Sequence, residues 1–301
     1  MTTQLPTNIP DYLEQLRRAL AGDDPALMQD ALYDAEEYLR SELAENLDKS
    51  EAEVIAAVAS SYGAPEEVAD IYRDTEVRVQ TALRAPPPRP RKSLAGRFFG
   101  IAGDPRAYAA LFYMVLALAT GVFYFTWVAV GISLSAGFAA LIIGIPFLIL
   151  FLGSIRMLSL LEGRIVEVML GERMPRRPLY RDRGKPLLER IKDMFLDPRT
   201  WSTVLYFLAM LPLGIVYFTL AVSFVTVSLS FVLAPLALLP GVHLNIWMFG
   251  IDIPAQAPWI LPVLSVVGVL LLFATLHLAR GVGRLHGQLA KHLLVKSAQY
   301  V

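Results

Sequence analysis

The sequence predicts an all-α polytopic membrane protein: four transmembrane helices in a two-copy internal repeat, with a small N-terminal cytoplasmic helical domain. Three observations predict it. Four runs lack any Asp, Glu, Lys or Arg: Ala107 to Ile132, Leu134 to Ile155, Trp201 to Phe224 and Ala257 to Ala279. Each is long enough to cross about 30 Å of hydrocarbon. The 27 basic and 27 acidic residues are split unevenly, with 6 against 18 in residues 1–83 and 21 against 9 in residues 84–301. The apolar part also matches itself under a fixed shift.

These properties exclude several function classes. Charged residues are 18% of the chain and mean hydropathy is +0.50, whereas soluble domains average about a quarter charged. The chain has no cysteine, which removes disulfide scaffolds and thiol chemistry. An acidic head repels phosphate, so direct nucleic-acid binding is not expected.

The N-terminus has no early Lys or Arg and no apolar core, so it does not read as a signal peptide. Leu13, Leu16 and Leu20 line one face of a first helix. Asp24-Pro25 supplies a cap and a first-turn proline for a second helix to about Asn46. Its apolar stripe is Met28, Leu32, Ala35, Leu39 and Leu43, with Asp30, Asp34, Glu37 and Arg40 on the wet side. Ser50 and Glu53 form a capping box for a third helix. Tyr62-Gly63 stops that helix, with Gly63 suited to left-handed backbone. Pro65 starts a fourth helix to about Leu83, its first turn acidic as the helix dipole favours. So small a core is marginal alone, so pairing with a partner, or as a homodimer, is expected as readily as independent folding.

Two stretches of this head carry a resemblance. Tyr12-Leu13-Glu14-Gln15-Leu16-Arg17-Arg18-Ala19-Leu20 and Tyr62-Gly63-Ala64-Pro65-Glu66-Glu67-Val68-Ala69 are similar to the opening and the Gly-x-Pro-Glu-Glu-x-Ala signature of the bacterial HAAS signalling domain. The resemblance covers residues 10–75, with Tyr62 where leucine is usual. It implies a helical signalling or docking module, often encoded beside PadR-type transcriptional regulators.

Residues 84–93 form a basic, Pro-rich linker suited to polyproline II and to an anionic inner leaflet. A turn at residue 133 separates the first two spans. Val225 to Gln256, broken by Pro235, Pro240, Gly241 and Pro254, reads as an ordered non-cytoplasmic insertion. Lys and Arg crowd residues 84–106, the loop from Arg164 to Arg199 and the tail after Arg280, and are absent from Val225 to Gln256. Both termini and the middle loop are therefore expected inside a bacterial cytoplasmic membrane.

A shift of 93 places Asp104-Pro105-Arg106 on Asp197-Pro198-Arg199, Tyr113 on Tyr206, Gly121 on Gly214 and Tyr124 on Tyr217. Past the second span the shift becomes 124, placing Arg156 on Arg280 and Gly163 on Gly287. The copies are residues 94–171 and 187–295, both starting inside, so their pseudo-two-fold axis runs along the membrane normal. Asp197-Pro198-Arg199-Thr200-Trp201, Leu205-Tyr206 and Leu211-Pro212-Leu213-Gly214-Ile215 resemble the sensor domain attached to some bacterial two-component kinases. That resemblance spans residues 94–295 and implies sensing. With no phospho-acceptor helix and no Gly-rich ATP site after residue 295, it does not imply phosphotransfer.

The candidate residues are mainly structural. Asp104 and Asp197 read as helix caps, Arg106 and Arg199 as phosphate-facing anchors, and Gly121 and Gly214 as sites of close span packing. Residues 93–100 and 186–196 read as helices in the headgroup plane. His277, near the inner end of a span, reads as a hydrogen-bonding side chain, with pH sensing as its functional alternative. His286 and His292 are six apart, a poor metal spacing. No Asp or Glu falls inside the four runs, which weakens a proton-coupled transporter. No catalytic, cofactor or metal motif occurs, so no enzyme is expected. The expected function is non-catalytic transmission of an envelope or lipid-phase signal to a cytoplasmic regulator, with membrane lipids as the other partner. A membrane subunit for transport or lipid handling, or a passive scaffold, are the alternatives.

Overall fold

The structure is a computed structural model and describes residues 6–83, 93–138, 144–178, 192, 194–239, 242, 246–248 and 250–295. The Pro-rich linker and most of the expected helix at residues 186–196 lie outside the described residues.

Four helices make up the head: α1 (Ile9–Ala19), α2 (Pro25–Glu45), α3 (Glu51–Ser61) and α4 (Pro65–Leu83). The caps set these limits. Asp24 accepts from the Ala26 amide at 2.9 Å, and Ser50 and Glu53 close a reciprocal box. Tyr12, Leu16, Leu39, Ile55 and Val68 pack into one core. The Tyr12 hydroxyl, buried there, donates to the Gly63 carbonyl at 2.8 Å, and burial pushes its pKa up. Arg73 ties α4 to the α1–α2 corner through Asp23 at 2.9 Å and the Ala19 carbonyl.

Gly63 has φ +122°, and a Cβ there would stand 3.4 Å from Val68. Gly63→Val is therefore expected to cost about 2 kcal/mol of head stability, because branched residues resist this backbone region. Amide exchange of α3 and α4 in the full chain should read the loss. Unchanged protection would remove the argument.

In the membrane body, a short helix α5 (Leu94–Phe99) and a 3-10 turn (Gly100–Gly103) lead into α6 (Pro105–Phe138), followed by α7 (Gly144–Leu170) and α8 (Pro198–Leu233). A 3-10 turn (Ala234–Leu238), strands β1 (Trp247–Met248) and β2 (Ile251–Asp252) and the one-turn helix α9 (Ile253–Gln256) then precede α10 (Ile260–Leu294). Four helices, α6, α7, α8 with its 3-10 extension, and α10, are long and apolar enough to cross a membrane. Among the described residues the fold is helical apart from the two-residue antiparallel ladder that pairs Trp247 with Asp252.

Two boundaries differ from the sequence expectation. The turn at residue 133 is absent, and α6 runs through Ser133 to Phe138. The Ser133 hydroxyl donates back to the Ala129 carbonyl at 2.8 Å, so it stays within the helix. The third span continues past Phe224 to Leu233 because no Gly, Pro or charge interrupts it before Pro235. At the end of the body away from the head, Ala234 and Ile253 pack on Leu261 and Leu264 of α10.

Candidate functional site

The site is created by the crossing of α6 and α8. A Cβ on Gly121 would overlap the Met210 carbonyl, and one on Gly214 would overlap the Ala117 carbonyl. Glycine lets the two backbones touch at both points. The two glycines do not face one another; each takes a carbonyl one turn before the other. This approach brings Tyr113 and Tyr124 of α6 toward Tyr206 and Tyr217 of α8.

The four tyrosines surround Glu162 of α7 and His286 of α10, both 0% exposed. Tyr113 Oη lies 2.8 Å from Glu162 Oε1 and 2.6 Å from His286 Nε2. Tyr206 Oη makes the same pair of contacts, each at 3.0 Å. Tyr124 donates to Glu162 Oε2 at 3.0 Å, and Tyr217 Oη lies 3.3 Å from His286 Nδ1. A buried carboxylate without a cationic partner is costly unless its lone pairs are filled. Three phenol donors fill them here.

Glu162 and His286 are each eight residues from the end of their helix, about 12 Å along the axis. That end carries the head. Arg173, in the loop after α7, reaches Asp30 of α2 at 2.8 Å and Glu76 of α4 at 2.9 Å. Glu167 lies 3.8 Å from the same guanidinium. Asp30 Oδ1 also accepts from the amides of Arg176 at 2.7 Å and Arg177 at 2.8 Å. Gln29 donates to the Arg177 carbonyl and accepts from Arg199. Lys291, near the end of α10, pairs with Asp24. Burial pushes the Asp30 pKa up, while the two amides and Arg173 act against that rise. Burial also opposes the charge on Arg173, yet the hydrogen bond and charge of Asp30, with Glu76 and Glu167, outweigh it and raise its pKa.

The loop is gripped from both sides. A Cβ on Gly163, the residue after Glu162, would stand 3.4 Å from Met174 Cβ. One on Gly287, the residue after His286, would stand 2.5 Å from Glu172 Cγ. The two glycines thus hold the neighbours of Arg173 against the buried network.

Gly121 and Gly214 form the crossing above; the other sequence-derived candidates lie outside the network. Gly63 and Pro65 join α3 to α4, away from the network. Asp104 and Asp197 do cap helices, accepting from the amides of Arg106 and Arg199 at 3.0 Å. They also form ion pairs, Asp104 with Arg280 at 3.1 Å and Asp197 with Arg156 at 2.9 Å. Arg199, expected to face phosphates, turns toward the head, where its Nη1 donates to Gln29 Oε1 at 2.8 Å. Arg106 lies over Gly171, where a Cβ would stand 3.5 Å from its guanidinium carbon. His277 is exposed and lies 3.1 Å from the Phe98 carbonyl through Nε2, outside the network. Asp30, expected on the wet side of α2, is 6% exposed, because the basic loop folds over it.

The family described as Putative sensor matches residues 113–294. The chain belongs to that sensor family. The matched stretch opens on Tyr113 and encloses Glu162, Tyr124, Tyr206, Tyr217 and His286. No curated protein and no solved structure matches the chain.

For this sensor-family chain, Glu162 and His286 are the residues that sequence reasoning missed. The second uncharged run ends at Ile155, whereas α7 continues to Leu170 and carries Glu162 inward. A carboxylate therefore does lie within a membrane-length helix. A signal existed: the shift of 124 that places Gly163 on Gly287 also places Glu162 on His286.

Proposed function

We propose that the chain is a non-catalytic sensor of a bacterial inner membrane whose output is the α1–α4 head. The observation that carries this reading is the loop at residues 172–174. It packs on Gly163 and Gly287 beside the buried network and holds Asp30 and Glu76 of the head through Arg173. A rearrangement around Glu162 would reach the head through one continuous set of contacts. The head resembles a HAAS module, and we assign it the docking of a cytoplasmic regulator, with a PadR-type protein as the class of partner.

We also propose that the body is a duplicated unit. Supporting this, contacts recur at positions 93 apart: Tyr108 donates to the Ala102 carbonyl and Trp201 to that of Phe195. The Asp104–Arg280 and Asp197–Arg156 ion pairs match under the same shifts. The charge pattern supports an orientation with both termini in the cytoplasm.

The test uses the full chain in lipid vesicles, with amide exchange of α2 and α4 followed as lipid composition and pH are varied. A sensor changes the protection of the α2 face around Asp30 under at least one condition. A head with constant protection throughout is a passive scaffold. Single cysteines at Leu47 and Ile251, in this Cys-free chain, should label from opposite sides; labelling from the same side overturns the orientation.

A further inference from the structure

We propose that the buried Tyr–Glu–His network is a binding site for a single proton, accepted at His286 Nδ1, and that this proton is the signal. The inference rests on the sensor reading and names the ligand of that same site.

With Glu162 a carboxylate in the resting state, counting hydrogens sets the tautomer of His286. Each tyrosine has one hydroxyl proton. Glu162 as a carboxylate takes those of Tyr113 and Tyr206 at Oε1 and that of Tyr124 at Oε2. The oxygens of Tyr113 and Tyr206 then have no proton left for His286 Nε2, which lies 2.6 and 3.0 Å from them. Nε2 must therefore carry the hydrogen, shared between the two phenol oxygens. Nδ1 is left bare and accepts only from Tyr217, across the longest contact in the network at 3.3 Å. Every polar atom is satisfied, and the cluster carries one negative charge.

That state has room for one more proton. The groups facing the site are Tyr113 and Tyr124 from α6, Glu162 from α7, Tyr206 and Tyr217 from α8, and His286 from α10. None of them is cationic. A proton added to Nδ1 needs only Tyr217 to turn its hydroxyl away and accept. The result is an imidazolium and a carboxylate bridged by two phenols, with no net charge. A concerted shift gives the equivalent form: the Nε2 proton passes to Tyr113 Oη as the Tyr113 proton passes to Glu162 Oε1. One N–H and one O–H bond break, and two O–H bonds form. Tyr217, whose hydroxyl faces Nδ1, is also the half-buried member of the network. Discharging the cluster removes a buried charge beside Gly163 and Gly287, the two glycines that hold the Arg173 loop.

The geometry further marks Glu162 and His286 as the two positions at which the repeat is chemically split. Tyr113 and Tyr206 contact both of them, while Tyr124 serves only Glu162 and Tyr217 only His286. A carboxylate at one position and an imidazole at the other form a heterogeneous acceptor pair around a single proton. Two carboxylates or two imidazoles would repel one another when both are charged.

The experiment is nitrogen-15 NMR of histidine side chains in the full chain in lipid vesicles, titrated toward acid. His243, His277 and His292 are each replaced by Gln to assign the signals. At neutral pH His286 should show hydrogen on Nε2 and none on Nδ1; on acidification the Nδ1 signal should become protonated. Glu162→Gln keeps an acceptor oxygen at the same place but removes the compensating charge, and should abolish that uptake. Tyr217→Phe should move its midpoint, and Tyr108→Phe, outside the network, should not. A His286 Nδ1 already protonated at neutral pH, or bare until the chain unfolds, overturns the proposal. So does a Glu162→Gln chain that titrates as the parent does. Spin labels on α2 and α10 of the same samples separate this from the sensor reading. A head that moves on acidification equally in parent and Glu162→Gln overturns the proton site while leaving the sensor reading standing.

Discussion

Arg173→Ala is expected to release the head from the membrane body. Arg173 and Asp30 have side chains only 10% and 8% exposed, and Glu76 is at 10%. Truncating the guanidinium leaves Asp30, Glu76 and Glu167 as buried like charges without their shared cation. Breaking a buried pair in this way typically costs about 3–5 kcal/mol. The tethers that remain are the Arg176 and Arg177 amides on Asp30, Arg177 to Asp34, Gln29 to the Arg177 carbonyl and to Arg199, and Lys291 to Asp24; these reach α2 and its cap but do not join α2 to α4 as Arg173 does. Spin labels on α2 and on α10 should report one narrow distance in the parent chain and a broad distribution in the variant. Arg164→Ala is the control, because its ion pair with Glu167 has a half-exposed guanidinium and should be worth no more than about 1 kcal/mol. Arg173→Lys should fall between the two, since an ammonium keeps the charge but loses the planar fork that spans Asp30 and Glu76. Equal distributions for Arg173→Ala and Arg164→Ala would show that the clamp does not hold the head.

Gly214→Leu, and equally Gly121→Leu, is expected to force α6 and α8 apart. A Cβ at either position would overlap a carbonyl of the facing helix. Backbone oxygens cannot turn aside as a side chain can, so the expected cost is about 3 kcal/mol or more. Separating the helices would also pull Tyr113 away from Tyr206 and unfill the lone pairs of Glu162. The neighbours Val122 and Ile215 point outward, at 48% and 50% exposure, and their replacement by Leu should change little. Thermal unfolding in detergent should rank the glycine variants well below those controls. Indistinguishable melting would place the packing seam of the body elsewhere.

Local structure and the number of membrane-length helices are legible in the sequence. Caps such as Asp24-Pro25 and Ser50 with Glu53 act within four residues, so they are legible without tertiary knowledge. An uncharged run of membrane length is a property of composition, and the shift of 93 is a property of the string. The close packing of Gly121 and Gly214 followed from small residues at equivalent places in two spans.

Tertiary structure alone decided the chemistry. Asp30 falls on the polar face of α2 by periodicity, yet it is buried, because its partners Arg173, Arg176 and Arg177 lie more than 140 residues away. Arg199 looks like a lipid anchor until the head occupies the space in front of it. Glu162 follows the apolar part of α7, where hydropathy reads it as the start of a cytoplasmic loop. Only the convergence of four helices turns it inward, onto three phenols from two of them, two of which bridge it to a histidine on a third. A local pattern records which face of a helix is apolar. It does not record which distant polar group will supply the hydrogen bonds that allow a charge to be buried there.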